Sequence, residues 1–226
     1  MAKLTWDNTG ERFYETGVKN VALYVFDNTS GAKKYKDGVA WNGVTAISES
    51  PSGAEPTALY ADDKKYLNLL SAEEFAASIE AYTYPDEFAE CDGSASLAEG
   101  FTIGQQARSK FALAYKTTIG NDEAGNSLGY KLHIIYNCLA APSEKAYNTI
   151  NDSPEAITFS WEISTTPVTF IAEGKEYSTA CITIDSRKVN KEKLAALETK
   201  LFGGAEPDSK PTLVLPNEIY NDMKAA

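Results

Sequence analysis

Residues 157–164 alternate without a break: Ile157, Phe159, Trp161 and Ile163 are large and apolar, whereas Thr158, Ser160, Glu162 and Ser164 are polar. A period of two sends successive side chains to opposite faces of an extended chain, which a helical repeat cannot do. The same period runs through Lys110 to Thr118, where Phe111, Leu113 and Tyr115 share one face and Lys110, Ala112, Ala114 and Lys116 the other. It returns over 130–139, with Tyr130, Leu132, Ile134, Tyr136 and Cys138 opposite Lys131, His133, Ile135, Asn137 and Leu139. Residues 21–26 form a nearly continuous apolar run, as expected for a strand covered on both faces. Further strands are expected around Trp41 (38–48), at 66–70 as a short strand or hairpin arm, as one long run over 73–84, and at 168–171 and 177–184. Turn chemistry separates them at Asp27–Gly31 and Gly120–Gly129. Strands at this spacing, without alternating helices, predict a mainly β chain built as an antiparallel β-sandwich or barrel.

One flanking α-helix is expected over 190–202. Asn190 suits the N-cap, Val189 and Leu194 suit a hydrophobic staple, Leu194, Leu197 and Leu201 form an apolar stripe, and Gly203-Gly204 ends it. A shorter helix is expected to start at Pro85, with Asp86 and Glu87 in its first turn and Gly93 closing it. Residues 49–56, with Pro51, Gly53 and Pro56, open a long exposed loop. After Gly204 the polar stretch to Pro211 reads as a linker, which divides the chain into a domain over 1–204 and a C-terminal extension over 205–226. The apolar run Leu213-Val214-Leu215 requires cover from its own domain or from a neighbour.

Charge is gathered in one place. Of 32 acids against 21 bases, twelve acids and only Lys64 and Lys65 as bases fall between Glu49 and Glu99, while the remainder of the chain is nearly neutral. Only three of the bases are Arg, so a basic, Arg-rich face for tight nucleic-acid binding is not expected. Cys91, Cys138 and Cys181 stand far apart without a C-x-x-C pair and read as reduced thiols of a cytosolic product, not as a zinc site or a disulfide framework. The N-terminal residues lack an apolar run of signal-peptide length, and no stretch approaches the roughly 18 apolar residues of a membrane span.

Catalytic and cofactor chemistry find little support. His133, the single histidine, alternates with apolar residues on a strand and lacks a G-x-S-x-G nucleophile, so it reads as structural. Glu87 with Glu90, or Asp86 with Glu90, would share a helical face, as surface acids commonly do. Residues 121–126 have the composition of a calcium loop without its spacing, and neither phosphate-binding glycine motif occurs. The expectation is a non-enzymatic protein with no metal and no cofactor. Thirteen tyrosines and three tryptophans keep a carbohydrate-binding β-sandwich module as a rival reading.

Seven blocks, in order, carry a resemblance: Trp6–Val18, Gly38–Thr45, Glu49–Glu55, Glu80–Phe88, Thr102–Gln106, Tyr130–Pro142 and Asn151–Ala156. Together they resemble the major tail proteins, the tail-tube subunits of long-tailed phages of Gram-positive bacteria, over about residues 4–202. The resemblance implies a structural virion protein whose hexameric rings stack into a hollow tube that delivers dsDNA to the host. It further implies assembly in the host bacterial cytoplasm, with tape-measure, tail-terminator and baseplate or tail-tip proteins as partners, and no membrane. The tube of a contractile tail or of a tail-like bacteriocin is the nearest alternative.

In such tubes each subunit gives four strands to the lumen barrel. Matched by order, these are about 39–50, 73–84, 108–118 and 130–140, with 51–72 as the loop reaching the adjacent ring. Strands near 21–26 and 157–184, and the helix, would then form an outer layer. Six subunits with four strands each form a cylinder roughly 45–50 Å across at about 4.8 Å spacing and about 40° tilt, which leaves room for duplex DNA. The lumen-lining candidates are Glu80, Glu49 and Ser78 among the acidic and polar residues, and Lys110, Lys116 and Lys131 among the bases. The inter-ring candidates are Leu59, Tyr60, Tyr66, Leu67 and Leu69, apolar area that a monomer cannot easily cover.

Overall fold

The computed structural model describes residues 4–28, 35–150, 152, 155–205 and 209–224. The turn expected at 27–31 therefore lies partly outside the described residues, as do Asn151, Ser153 and Pro154 of the last block and 206–208 of the expected linker. In chain order the strands are β1 (Phe13–Val25), β2 (Val39–Ala40), β3 (Val44–Glu49), β4 (Ser52–Gly53), β5 (Pro56–Ala61), β6 (Lys64–Leu70), β7 (Glu73–Glu74) and β8 (Ala76–Ala81). After a 3₁₀ turn at Asp86–Glu90 come β9 (Ala95–Ala98), β10 (Phe101–Ile103), β11 (Phe111–Asn121), β12 (Gly125–Ala140), β13 (Phe159–Thr165), β14 (Val168–Ala172), β15 (Lys175–Thr179) and β16 (Cys181–Asp185). Two helices follow, α1 (Lys191–Phe202) and α2 (Pro216–Lys224).

The fold is mainly β and antiparallel. Eight strands make one sheet in the order β2-β1-β11-β12-β13-β8-β3, with β16 also paired to β12. The sheet curls so that β1 and β3 approach each other. Its concave face encloses a core of Leu23, Ile79, Phe111, Leu113, Ile135, Trp161 and Ile163, closed by Trp41 and by Phe88 from the 3₁₀ turn. Trp161 packs its ring 5.0 Å from Phe88 and 5.7 Å from Trp41. Its indole N–H donates to Asp92 Oδ1 at 3.0 Å, so the largest side chain of the core is also fully hydrogen-bonded.

A second core covers the convex face of β1, β11, β12 and β16. Tyr24, Ala112, Ala114, Leu132, Ile134 and Tyr136 meet Leu194, Leu197 and Leu201 of α1. Asn190 caps that helix by accepting from the backbone N–H of Glu192 at 2.8 Å and of Lys193 at 3.3 Å. The C-terminal residues lie on the same core: Leu213, Val214 and Ile219 are buried there, and Tyr136 OH donates to the Val214 carbonyl at 2.9 Å. Pro216 opens α2, a helix that the sequence reading does not anticipate.

Several expectations are corrected. The run expected over 38–48 breaks at Trp41–Gly43, where Gly43 takes φ 78° and Trp41 turns into the core, leaving β2 and β3. The long strand expected over 73–84 is two, β7 and β8, and the helix expected after Pro85 is one 3₁₀ turn. In β11 the face expected to be polar is buried at Ala112 and Ala114, because α1 covers it. In β12, Asn137 adopts φ 48° and shifts the register, so that Cys138 joins Ile135 in the first core instead of following Tyr136 into the second. The layer division also differs: β1 and β13 belong to the same sheet as β3, β8, β11 and β12, and β13 lies between β12 and β8.

Candidate functional site

Two surfaces stand out. The first is the outward face of β3, β8 and β13. Antiparallel register places Glu80 beside Ser160 on one side and Ala46 on the other, and Ser78 beside Glu162 and Ser48. Ser164 and Ala76 form the next pair. The intervening Ile79, Ala81, Trp161 and Ile163 point into the first core, so the outer positions are fixed by the alternation that builds that core. Every side chain on these outward positions is either acidic or small. Glu80 and Glu162, on diagonal positions of neighbouring strands and thus about 7 Å apart, are both exposed.

The second surface is the segment expected to be a loop at 51–72. It is a paired ribbon: Ser52 and Gly53 pair with Glu74 and Glu73 at its base, and β5 pairs with β6 along its length. The two-residue turn at its tip is made by Asp62 and Asp63, both at positive φ (50° and 57°), which Asp tolerates better than most residues. All residues of the ribbon from Pro56 to Leu70 are exposed except Ala58, which is half-buried. Leu59, Tyr60, Tyr66, Leu67, Leu69 and Leu70 are between 38% and 73% exposed. An isolated two-stranded hairpin with this much apolar surface gains little from its own fold.

The other lining candidates lie elsewhere. Glu49 ends β3 on the core side, in register with Ala77. Tyr115 OH donates to Glu49 Oε1 at 2.6 Å, and His133 Nδ1 lies 3.4 Å from the same oxygen. His133 is buried, stacked on Tyr115 at 4.8 Å, with Thr117 Oγ1 at 3.0 Å from Nε2 and Thr183 Oγ1 at 3.3 Å from Nδ1. The hydrogen bond to His133 is the largest influence holding the Glu49 carboxyl below its usual range; partial burial opposes it and the Tyr115 hydroxyl adds to it. Lys116 reaches under α1, where its Nζ is 2.9 Å from Glu198 and 4.5 Å from the centre of the Tyr130 ring. Lys131 pairs with Glu15. Lys110 is exposed at the start of β11. None of these lysines lies on β3, β8 or β13, so the structure brings Glu80 and Ser78 together and separates them from Glu49 and from all three bases.

Glu162, Ser160 and Ser164 join the Glu80 face without having been singled out as lining residues. Their alternation already marked them as outward; what it could not give was that β13 is the neighbour of β8. The loop at 121–126 turns its oxygens to local use: Asn121 Oδ1 accepts from the Ala124 N–H at 2.6 Å, and the Asp122 carboxylate accepts from the Gly10 N–H at 3.1 Å. That contact is the main cause holding the Asp122 carboxyl low. The three cysteines are free, and burial pushes the thiol of Cys91 up to about 12 and that of Cys181 up to about 11. Of the three tryptophans, Trp41 and Trp161 are buried in the first core and Trp6 is exposed. Among the described residues, no helix is long and apolar enough to cross a membrane.

No protein-family model matches this chain, and no curated protein matches it. Among solved structures it is similar to a chain of the six-fold symmetrised cryo-EM structure of the anti-feeding prophage (AFP) baseplate. The two are 9% identical, the similarity covers 80% of this chain and 97% of that one, and the TM-score is 0.36.

Proposed function

We propose that this chain is the tail-tube subunit of a long-tailed phage. Its copies form six-membered rings, the rings stack into a hollow tube, and dsDNA passes along the bore without being bound. The tape-measure, tail-terminator and tail-tip proteins are its partners in the virion, and assembly takes place in the host cytoplasm. The observation that carries this reading is the outward face of β3, β8 and β13, with Glu80 and Glu162 among serines and alanines and no base among them. A base facing the bore would neutralise phosphate, release counterions and gain affinity, and sixfold repetition in every ring would hold the genome in place. Acids and small side chains do the opposite: they repel phosphate at short range and leave nothing for a base to stack on. The ordered resemblance of the sequence blocks and the exposed apolar ribbon agree with the same reading.

Negative-stain electron microscopy of the concentrated protein tests it. Rings or tubes with a central channel are the expected result. Monodisperse particles at all concentrations, shifting in mobility on cell-wall glycan, would replace the tube with a carbohydrate-binding module.

A further inference from the structure

We infer that Glu49 is an acid-sensitive latch: its carboxylate ties the end of β3 to β11 and β12 across the mouth of the curled sheet, and acid releases it. Strand order carries this. Two strands, β13 and β8, stand between β12 and β3, and β11 lies beyond β12. In a flat sheet at about 4.8 Å per strand, β3 and β12 would be about 14 Å apart, beyond the reach of a glutamate. Yet Glu49 Oε1 accepts the Tyr115 hydroxyl of β11 at 2.6 Å and lies 3.4 Å from His133 Nδ1 of β12. The bond therefore spans the concave side and joins strands that no ladder joins.

Glu49 is also where the chain leaves the body. It is the last residue of β3; Ser50 N–H donates to the Ala76 carbonyl at 2.8 Å, and Ser52 and Gly53 then pair with Glu74 and Glu73 at the base of the ribbon. From Ser50 to Thr57 every residue is exposed, so the Glu49 side chain is the hold on this exit from the core side. Its partners are themselves fixed. The His133 ring stacks on Tyr115 at 4.8 Å, with Thr117 Oγ1 3.0 Å from Nε2 and Thr183 Oγ1 3.3 Å from Nδ1.

The groups facing the carboxylate are Tyr115 of β11, His133 and Lys131 of β12, and Cys181 of β16; Lys131 is in turn paired with Glu15 of β1. Burial pushes the Tyr115 hydroxyl up, and Cys181 up to about 11, so both stay neutral in acid and Glu49 supplies the charge of the latch. A hydroxyl bond to a carboxylate is roughly twice as strong as one to a neutral acid. Protonating Glu49 weakens the bond to Tyr115 and cancels the attraction of His133 and Lys131 together. Because its carboxyl is held below 4.5, the latch is closed above that value and opens as pH falls through the folded one.

Amide hydrogen exchange by NMR on the separate full-length subunit tests this, with protection corrected for the intrinsic rate at each pH. Ser50 N–H reports the latched end of the β3–β8 pair, and Tyr82 N–H, bonded to the Gly43 carbonyl at 2.8 Å, reports the other end. Between pH 6 and 3.5 the protection of Ser50 is expected to fall at least about threefold in wild type while that of Tyr82 holds. Glu49→Gln is expected to give low, flat protection at Ser50, and His133→Gln to move the midpoint up toward 4.5, which a merely structural contact would not do. Tyr115→Phe keeps the stack on His133 and removes the hydroxyl alone; it is expected to lower Ser50 protection at pH 6 and carries the test if another variant does not fold. Ser50 and Tyr82 falling together, a wild-type profile in Glu49→Gln, or full Ser50 protection in Tyr115→Phe would overturn the latch. None of these outcomes depends on whether rings form, so the tube reading stands or falls separately.

Discussion

Trp161 on β13 and Tyr66 on β6 are both aromatic strand residues, yet the first is fully buried and the second 73% exposed. Around Trp161 the body closes on itself: Trp41, Phe88 and Tyr84 pack against the indole, and Asp92 accepts its N–H. Around Tyr66 the partner strand among the described residues is β5, itself exposed. Strand propensity is equal in the two places; the difference is whether a third element covers the pair. The body is stabilised by contacts among several elements, whereas the arm as described has the β5–β6 pairing without a third element over it.

The sharpest break of this contrast is Trp161→Ala. Emptying the centre of the first core is expected to cost about 3–5 kcal/mol, read from urea denaturation. Replacing residues 54–72 with a short Gly-Ser turn is expected to change monomer stability by less than about 1 kcal/mol while abolishing polymerisation, read by denaturation and by electron microscopy. A loss of several kcal/mol there would mean that the arm belongs to the body. The double substitution Glu80→Lys and Glu162→Lys separates the wall from both: subunit stability should stay within about 0.5 kcal/mol and tubes should form, but genome delivery should fall at least about tenfold. Smallest is Glu49→Gln at the root of the arm. Because the folded carboxyl of Glu49 is held below its ordinary value of 4.5, its contribution is full above that value and is lost as pH falls through the folded one. Denaturation between pH 3 and 7 should therefore show a shallower acid limb in Glu49→Gln than in wild type, with the stability difference largest at pH 7 and closing as the pH falls.

What the sequence makes legible is what a single strand or helix decides for itself. Asn190, Leu194, Leu197 and Leu201 specify α1 from its cap to its buried stripe, and the alternation through Trp161 and Glu162 separates core from surface before any partner is known. The parity of β12 is lost because Asn137 looks like any outward residue until its left-handed conformation inserts a bulge. The ribbon is half legible: the run at 66–70 already reads as a strand or hairpin arm and lies in β6, whereas β5 is hidden because the turn is Asp62-Asp63, not an Asn-Gly or Asp-Gly pair, and the flanks carry the Pro and Gly of a loop. The Glu80–Glu162 face is half legible: its residues can be named from alternation, but strand order is a long-range property that no local pattern encodes.

Helical reconstruction of assembled tubes by cryo-electron microscopy, at a resolution that places side chains, tests the central claim most directly. Glu80 and Glu162 are expected to face the bore in every subunit, with the apolar arm buried between rings. Tubes in which β8 and β13 turn that face to the outside solvent would contradict the account.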